Sequence, residues 1–389
     1  MKLLLRLYSS LWMLILFLYQ LNWTLFSIPL VDSLKIFIFF NICIPFSISF
    51  LISNPKFLKT KYDLRFDRVT CLFIVFLYFA NFVYAKEIPF FSISSGNSQY
   101  RNFDGIPFLY PLLLTFSFFY FFVVSYYFIS IKKVRYFIEL LILLCCFLLI
   151  FSRSMLLFSI FGFFFINFLL NPFKNVSFLR KCIRVIFIIS LSLFALYFFG
   201  CLGNIRSGFD WNDCTLIERI GKFVNYPSWL PKQYMWAYTY LITPLSNLNL
   251  NVKEYCFNED FILFIASYIP DFISKRIFQG VALNGILQSL LVVEYFNAQS
   301  VFVIAVDCYG IFGCYLVLFL LLACIYLTNH LYKRNNFHSP VPYMLLTIFI
   351  LLSFFYNVFY YSIASVSLIF SLIYMGTKGK KLLYETKYI

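Results

Sequence analysis

Long apolar runs separated by short polar segments dominate the chain, and many are long enough to cross roughly 30 Å of hydrocarbon. They predict ten spans, at residues 3–20, 34–52, 69–85, 107–129, 136–151, 155–170, 185–202, 300–327, 342–360 and 361–375. Helical periodicity adds nothing here, because a helix surrounded by lipid is apolar on every face. The first run follows a short basic start (Lys2, Arg6) and lacks a small-x-small cleavage pattern, so it reads as a span and not as a cleaved leader. The least defined spans are the last two, which share the turn from Asn357 to Tyr361, and the short fifth and sixth.

The polar segments carry an orientation. With the N-terminus in the cytoplasm, most of the 31 Lys and Arg fall in inner loops, among them Lys56, Lys59, Arg65, Lys132, Arg180 and Lys333. The basic residues left outside are matched by acidic ones. Basic inner loops and neutral outer ones are what the positive-inside rule requires. The expected fold is therefore an all-α polytopic membrane protein of about ten helices with both termini cytoplasmic. It divides into an N-terminal bundle (1–202), a large outer loop (203–299) and a C-terminal bundle with a cytoplasmic tail (300–389). Within the loop, residues 234–248, 261–269 and 281–293 are apolar enough to lie in the interface or re-enter the membrane, but are too short or too polar for firm spans.

Composition removes other classes. Hydrophobic residues make up 62% of the chain and charged residues 12%, against about 25% charged in a soluble domain. The net charge of +15 is explained by inner loops, so it does not indicate nucleic acid. Most of the 11 cysteines sit in apolar runs and behave as small hydrophobes. Cys214 and Cys256 lie in the outer loop, where pairing or two free thiols are both open.

Candidate chemistry concentrates on the outer side. Arg153 interrupts an apolar stretch in Phe151-Ser152-Arg153-Ser154, where it either snorkels at a hairpin turn or binds an anion. Arg206 follows a span in Gly203-Asn204-Ile205-Arg206-Ser207-Gly208, and a guanidinium there can fork onto a phosphate or serve as an interfacial anchor. Lys275 and Arg276, after Asp271, add a third basic point. Asp307 stands at the mouth of the eighth span, where a carboxylate needs a partner or water. Gly310 and Gly313 beyond it suit close helix approach. Glu139, four residues after Arg135, suits a local ion pair. Asp210 and Glu294 are loop carboxylates available for proton transfer. His330 and His338 both fall in a cytoplasmic loop, and no nucleotide-binding loop, His/Cys metal cluster or serine elbow occurs.

These residues carry a resemblance. The Phe-rich chain with one large late loop resembles the Wzy-type O-antigen polymerases, which join oligosaccharide repeat units in bacteria. Phe151-Ser152-Arg153-Ser154 is similar to the Ser-Arg element of those polymerases and the related ligases. Gly203-Asn204-Ile205-Arg206-Ser207 is similar to the Gly-x-x-Arg segment opening their large loop. The stretch from Tyr238 to Asn247 is similar to their Tyr/Pro/Leu stretch. Two departures stand: Asp307 lies three residues before Gly310 instead of two, and no Arg-x10-Gly pattern starts from Arg206, Arg219 or Arg276.

The resemblance implies an enzyme of the bacterial inner membrane. It would move a growing glycan from undecaprenyl pyrophosphate onto a newly delivered lipid-linked repeat unit, at the periplasmic face, in lipopolysaccharide biosynthesis. Arg153, Arg206 and Arg276 would hold the pyrophosphate, and Asp210 or Glu294 would activate the acceptor. Tyr240, Asn247 and Asp307 would contact substrate. No cofactor and no metal is expected, since guanidiniums supply the charge compensation. The implied partners are the lipid-linked oligosaccharide, the bilayer and a chain-length regulator, with no nucleic acid. Trp211, Trp229 and Trp236 suit either sugar stacking or an interfacial belt. An O-antigen ligase, a flippase or transporter of lipid-linked oligosaccharide, and a structural assembly factor remain as alternatives.

Overall fold

The computed structural model describes residues 1–64, 67–94, 103, 105–172, 178–254, 260–279, 281 and 289–385. Among the described residues all regular structure is helical, apart from an isolated bridge between Thr24 and Phe223. The helices are α1 (Lys2–Gln20), α2 (Asp32–Leu51), α3 (Asp67–Ala85), α4 (Pro89–Ser94), α5 (Leu109–Ile131), α6 (Val134–Leu149), α7 (Arg153–Leu170) and α8 (Phe178–Arg206). They continue with α9 (Thr215–Ile220), α10 (Tyr234–Glu254), α11 (Phe261–Ser267), α12 (Asp271–Ile277), α13 (Val303–Arg334), α14 (Val341–Leu352) and α15 (Ser362–Glu385). Five of them, α1, α2, α3, α5 and α13, are long and apolar enough to cross a membrane. The chain is thus a helical protein of membrane character.

Two groups of helices share one core. α5 is the axis of the first, packed by α3, α6, α7, α14 and α15. In the second, α10 packs on α1, α8 and α13, while α2 packs on α1 and α13. Trp12 of α1 joins the groups through Phe302 and Phe354, with ring centroids at 5.8 and 5.1 Å.

The connecting segments sort to two ends. At one end, the Asn54 side chain accepts from the N–H of Leu3, the Tyr126 hydroxyl donates to Leu58 O, and Leu58 N–H donates to His338 O. At the other end, Asn249 holds the α1–α2 connection through Pro29 O and Val31 N–H, and Phe108 before α5 meets Phe272 of α12.

Residues 234–248, apolar enough in sequence to lie in the interface or re-enter, belong to a 21-residue helix, α10, that packs in the core. Its polarity is self-contained. The Thr239, Thr243 and Ser246 hydroxyls donate to carbonyls one turn back, and Asn247 and Asn251 are consumed by the chain that packs alongside. A satisfied polar group loses most of its burial penalty. Segment 203–299 therefore contributes side chains to the same core as the bundle, including Met235, Trp236 and Leu245. Of the other two expected segments, 261–269 holds the short α11, and 281–293 falls mostly outside the described residues.

Glu139 corrects the sequence expectation. Arg135 turns to the segment leading into α3, with Nη2 3.2 Å from Asp63 Oδ1 and Nε 3.2 Å from Asp67 Oδ2 at the start of α3. Glu139 instead accepts from the Tyr120 hydroxyl at 3.4 Å. The carboxylates of Asp63 and Asp67 take the place of the i,i+4 partner because the start of α3 packs against the first turn of α6, where Arg135 sits. A hydrogen bond from Lys133, with Arg135 nearby, holds the Asp63 carboxyl below the usual carboxylate range. A depressed carboxylate contributes stability above its unfolded pKa and loses it as pH falls through the folded one. Asp63→Asn is therefore expected to lower the melting temperature slightly at neutral pH. The difference should vanish well below pH of about 4, as melting of detergent-solubilised protein at both pH values would check.

Candidate functional site

The turn between α14 and α15 organises the end of the bundle that carries most sequence-selected residues. The run 342–360 is expected to be helical throughout, but α14 stops at Leu352. Backbone groups beyond it are claimed by neighbours and not by the helix ladder. Val301 N–H donates to Ser353 O at 2.8 Å, and Asp271 N–H donates to Tyr360 O at 2.9 Å. The Asn357 side chain donates to Ser267 O at 2.7 Å. Irregular backbone inside a helical bundle is tolerable where protein groups satisfy it.

Side chains tighten the same turn. Ser362 Oγ donates to Asp271 Oδ1, and Ser154 Oγ lies 3.4 Å from the Tyr361 hydroxyl. The rings of Tyr356 and Tyr361 stack at 6.0 Å. The starts of α7 and α12 are thus joined through residues 360–362. Arg153 opens α7 beside Ser154, and its side chain lies outside what is described. Lys275 Nζ reaches Asp271 at 3.4 Å. Arg276 is exposed, donates to Phe272 O at 3.2 Å and lies 5.0 Å over the Phe108 ring. Two of the three selected arginines therefore lie on the helices whose starts this turn joins.

The remaining selected residues lie on other elements. Arg206 ends α8, exposed and without a partner among the described residues. Asp210, also exposed, follows in the loop beyond it. Next to it, hydrogen bonds from the Thr215 hydroxyl and N–H hold Asp213 below the usual carboxylate range. Glu294 is exposed. Tyr240 packs between Phe199 and Phe296, at 5.4 and 5.9 Å. Asn247 is buried, with its amide donating to Phe296 O and Ala298 O and its carbonyl accepting from Val292 N–H. Those bonds give it the job of pinning residues 292–298 to α10, which leaves no amide group for a substrate.

Asp307 is 5% exposed and accepts from Ser289 Oγ at 2.8 Å, while its Oδ1 has no partner among the described residues. It precedes a break in α13 at Tyr309 and Gly310, where Gly310 adopts φ 58° and ψ −149°. That corner is open to glycine alone. The two glycines thus serve the chain's return upon itself: a Cβ on Gly313 would stand 2.0 Å from Ala305 O. Cys214 is buried with the Asn204 amide directed at its Sγ, and Cys256 lies outside the described residues.

Both histidines are elsewhere. His338 Nδ1 meets Lys56 O at 3.0 Å at the opposite end, and His330 stacks on Tyr326 within α13. Sequence reading missed Tyr361 and Ser362 as organisers of the site. The only signal was the weak boundary between the last two spans. The described side chains gathered at the turn are the hydroxyls of Ser154, Tyr361 and Ser362 and the Asp271 carboxylate with its Lys275 partner. The chain matches no family model, no curated protein and no solved structure.

Proposed function

We propose that the chain is a membrane glycosyltransferase of the O-antigen polymerase type. It transfers a growing glycan from undecaprenyl pyrophosphate to a new lipid-linked repeat unit at the outer face of the bacterial inner membrane. The observation that carries the reading is the joining of the starts of α7 and α12, the helices that hold Arg153 and Lys275–Arg276 in sequence, through residues 360–362. A departing pyrophosphate gains negative charge at the headgroup level, and guanidiniums beside it stabilise that charge as it develops. The topology that goes with this has ten spans and both termini cytoplasmic. It is supported by the sorting of connecting segments to two ends. Arg206 completes the cationic set from the end of α8, and Asp210 or Glu294 takes the acceptor's proton. Tyr240 and Asp307 are the remaining substrate-contact candidates.

The ligase reading fits less well, because both histidines lie away from the turn. Deleting the gene and running surface lipopolysaccharide on a gel separates the readings. The expected result is collapse of the ladder to core plus one repeat unit. Loss of every repeat would favour a ligase or flippase, and an unchanged ladder would overturn all three. If Arg206 forks onto a phosphate, Arg206→Lys should restore little of the ladder lost in Arg206→Ala.

A further inference from the structure

A cavity of about 880 Å³ lies between α1 and α2, and neither residues 360–362 nor the site residues selected above line it. Its wall on α2 is formed by residues 35, 38, 39, 42 and 43, one face of the helix by their spacing. At 1.5 Å per residue, Lys35 to Cys43 spans about 12 Å along the axis. That approaches the depth of one leaflet, about half of the roughly 30 Å hydrocarbon core. Polarity is graded along this length. Leu16, Ile38 and Cys43 line the deep part, while Gln20, Asn225 and Lys35 stand at the loop end. Backbone pairing closes that end, with Leu25 N–H on Lys222 O and Val224 N–H on Trp23 O. The flank is open, since Phe39 is 61% exposed on the helix surface.

We propose that this cavity holds one anionic glycerophospholipid, with a chain between α1 and α2 and its phosphate at Lys35. Three observations set the occupant. The volume falls in the range of true ligand sites. The apolar depth matches a leaflet. Lys35 is the charged residue lining the cavity, so the headgroup it complements is an anion. Its ion-pair partner, Asp32 at 2.8 Å, is almost wholly exposed, and such a pair is weak enough to exchange for a phosphate. The proposal needs only that α1 and α2 cross a bilayer, and it stands independently of glycosyl transfer.

The test uses the full-length protein in phosphatidylcholine bilayers containing a minor fraction of phosphatidylglycerol. Lipid retention is read by native mass spectrometry, and Cys43 shielding by its rate of alkylation with a lipid-soluble maleimide. Retention of one phosphatidylglycerol and several-fold slower Cys43 alkylation in its presence are expected. Lys35→Glu, a surface change that leaves packing intact, should abolish both effects. Ile38→Trp should fill the cavity and exclude the lipid. Phe46→Trp, on α2 outside the cavity, should change neither readout. Equal retention of phosphatidylcholine, indifference to Lys35→Glu, or complete displacement by added undecaprenyl phosphate would each overturn the assignment.

Discussion

Gly313→Ala is expected to deprive the protein of its native packing at α13, with a loss of stability on the order of 3 kcal/mol or more. The added Cβ would stand 2.0 Å from the carbonyl oxygen of Ala305 and 2.6 Å from its carbon. Both are backbone atoms, so no side-chain rotation relieves the overlap. The only escape is to separate the first turn of α13 from the rest of the helix. That separation undoes the break at Tyr309 and Gly310 and moves Asp307 away from Ser289. Gly310→Ala should act in the same direction, by about 1–3 kcal/mol, because its backbone conformation is closed to other residues. Gly376→Ala is the control: nothing lies within 4 Å of the added atom. Thermal melting of detergent-solubilised protein should show a large loss for the first, a smaller one for the second and none for the control. Equal melting temperatures for Gly313→Ala and wild type would mean that the chain does not double back there.

Arg276→Ala should reduce long-chain glycan about 10²-fold or more, the usual effect of deleting one donor to a developing oxyanion. The guanidinium is exposed, and its internal contacts are one carbonyl and the face of Phe108. Protein abundance should therefore hold while product falls. Arg276→Lys should recover little, because a lysine keeps the charge but loses the planar fork and the stacking on Phe108. Arg153→Ala should show the same pattern if α7 begins at the same anion. A normal chain-length distribution in both alanine variants, at wild-type protein levels, would sink the pyrophosphate assignment.

Asp271 marks the difference between these two kinds of residue. It reads in the sequence as a neighbour of Lys275 and Arg276, whereas in the fold its backbone N–H and carboxylate bind both sides of the Tyr360–Ser362 turn. Nothing in the spacing of residues 271 and 362 announces that contact.

The helical membrane class was legible from the chain alone, because lipid demands long apolar helices and leaves that demand in composition. Among the described residues most apolar runs fall on helices, and five of these are long and apolar enough to cross a bilayer. Arg153, Arg206 and Arg276 stood out for the same reason, as charge is conspicuous against an apolar background. What the chain could not reveal is where polar groups find partners. The core position of α10, the pairing of Arg135 with Asp63 and Asp67, and the early end of α14 each depend on hydrogen bonds between residues far apart in sequence. Such bonds are set by which helices pack side by side. Uniformly apolar faces carry no periodic signal to specify that choice, so only the tertiary structure decides it.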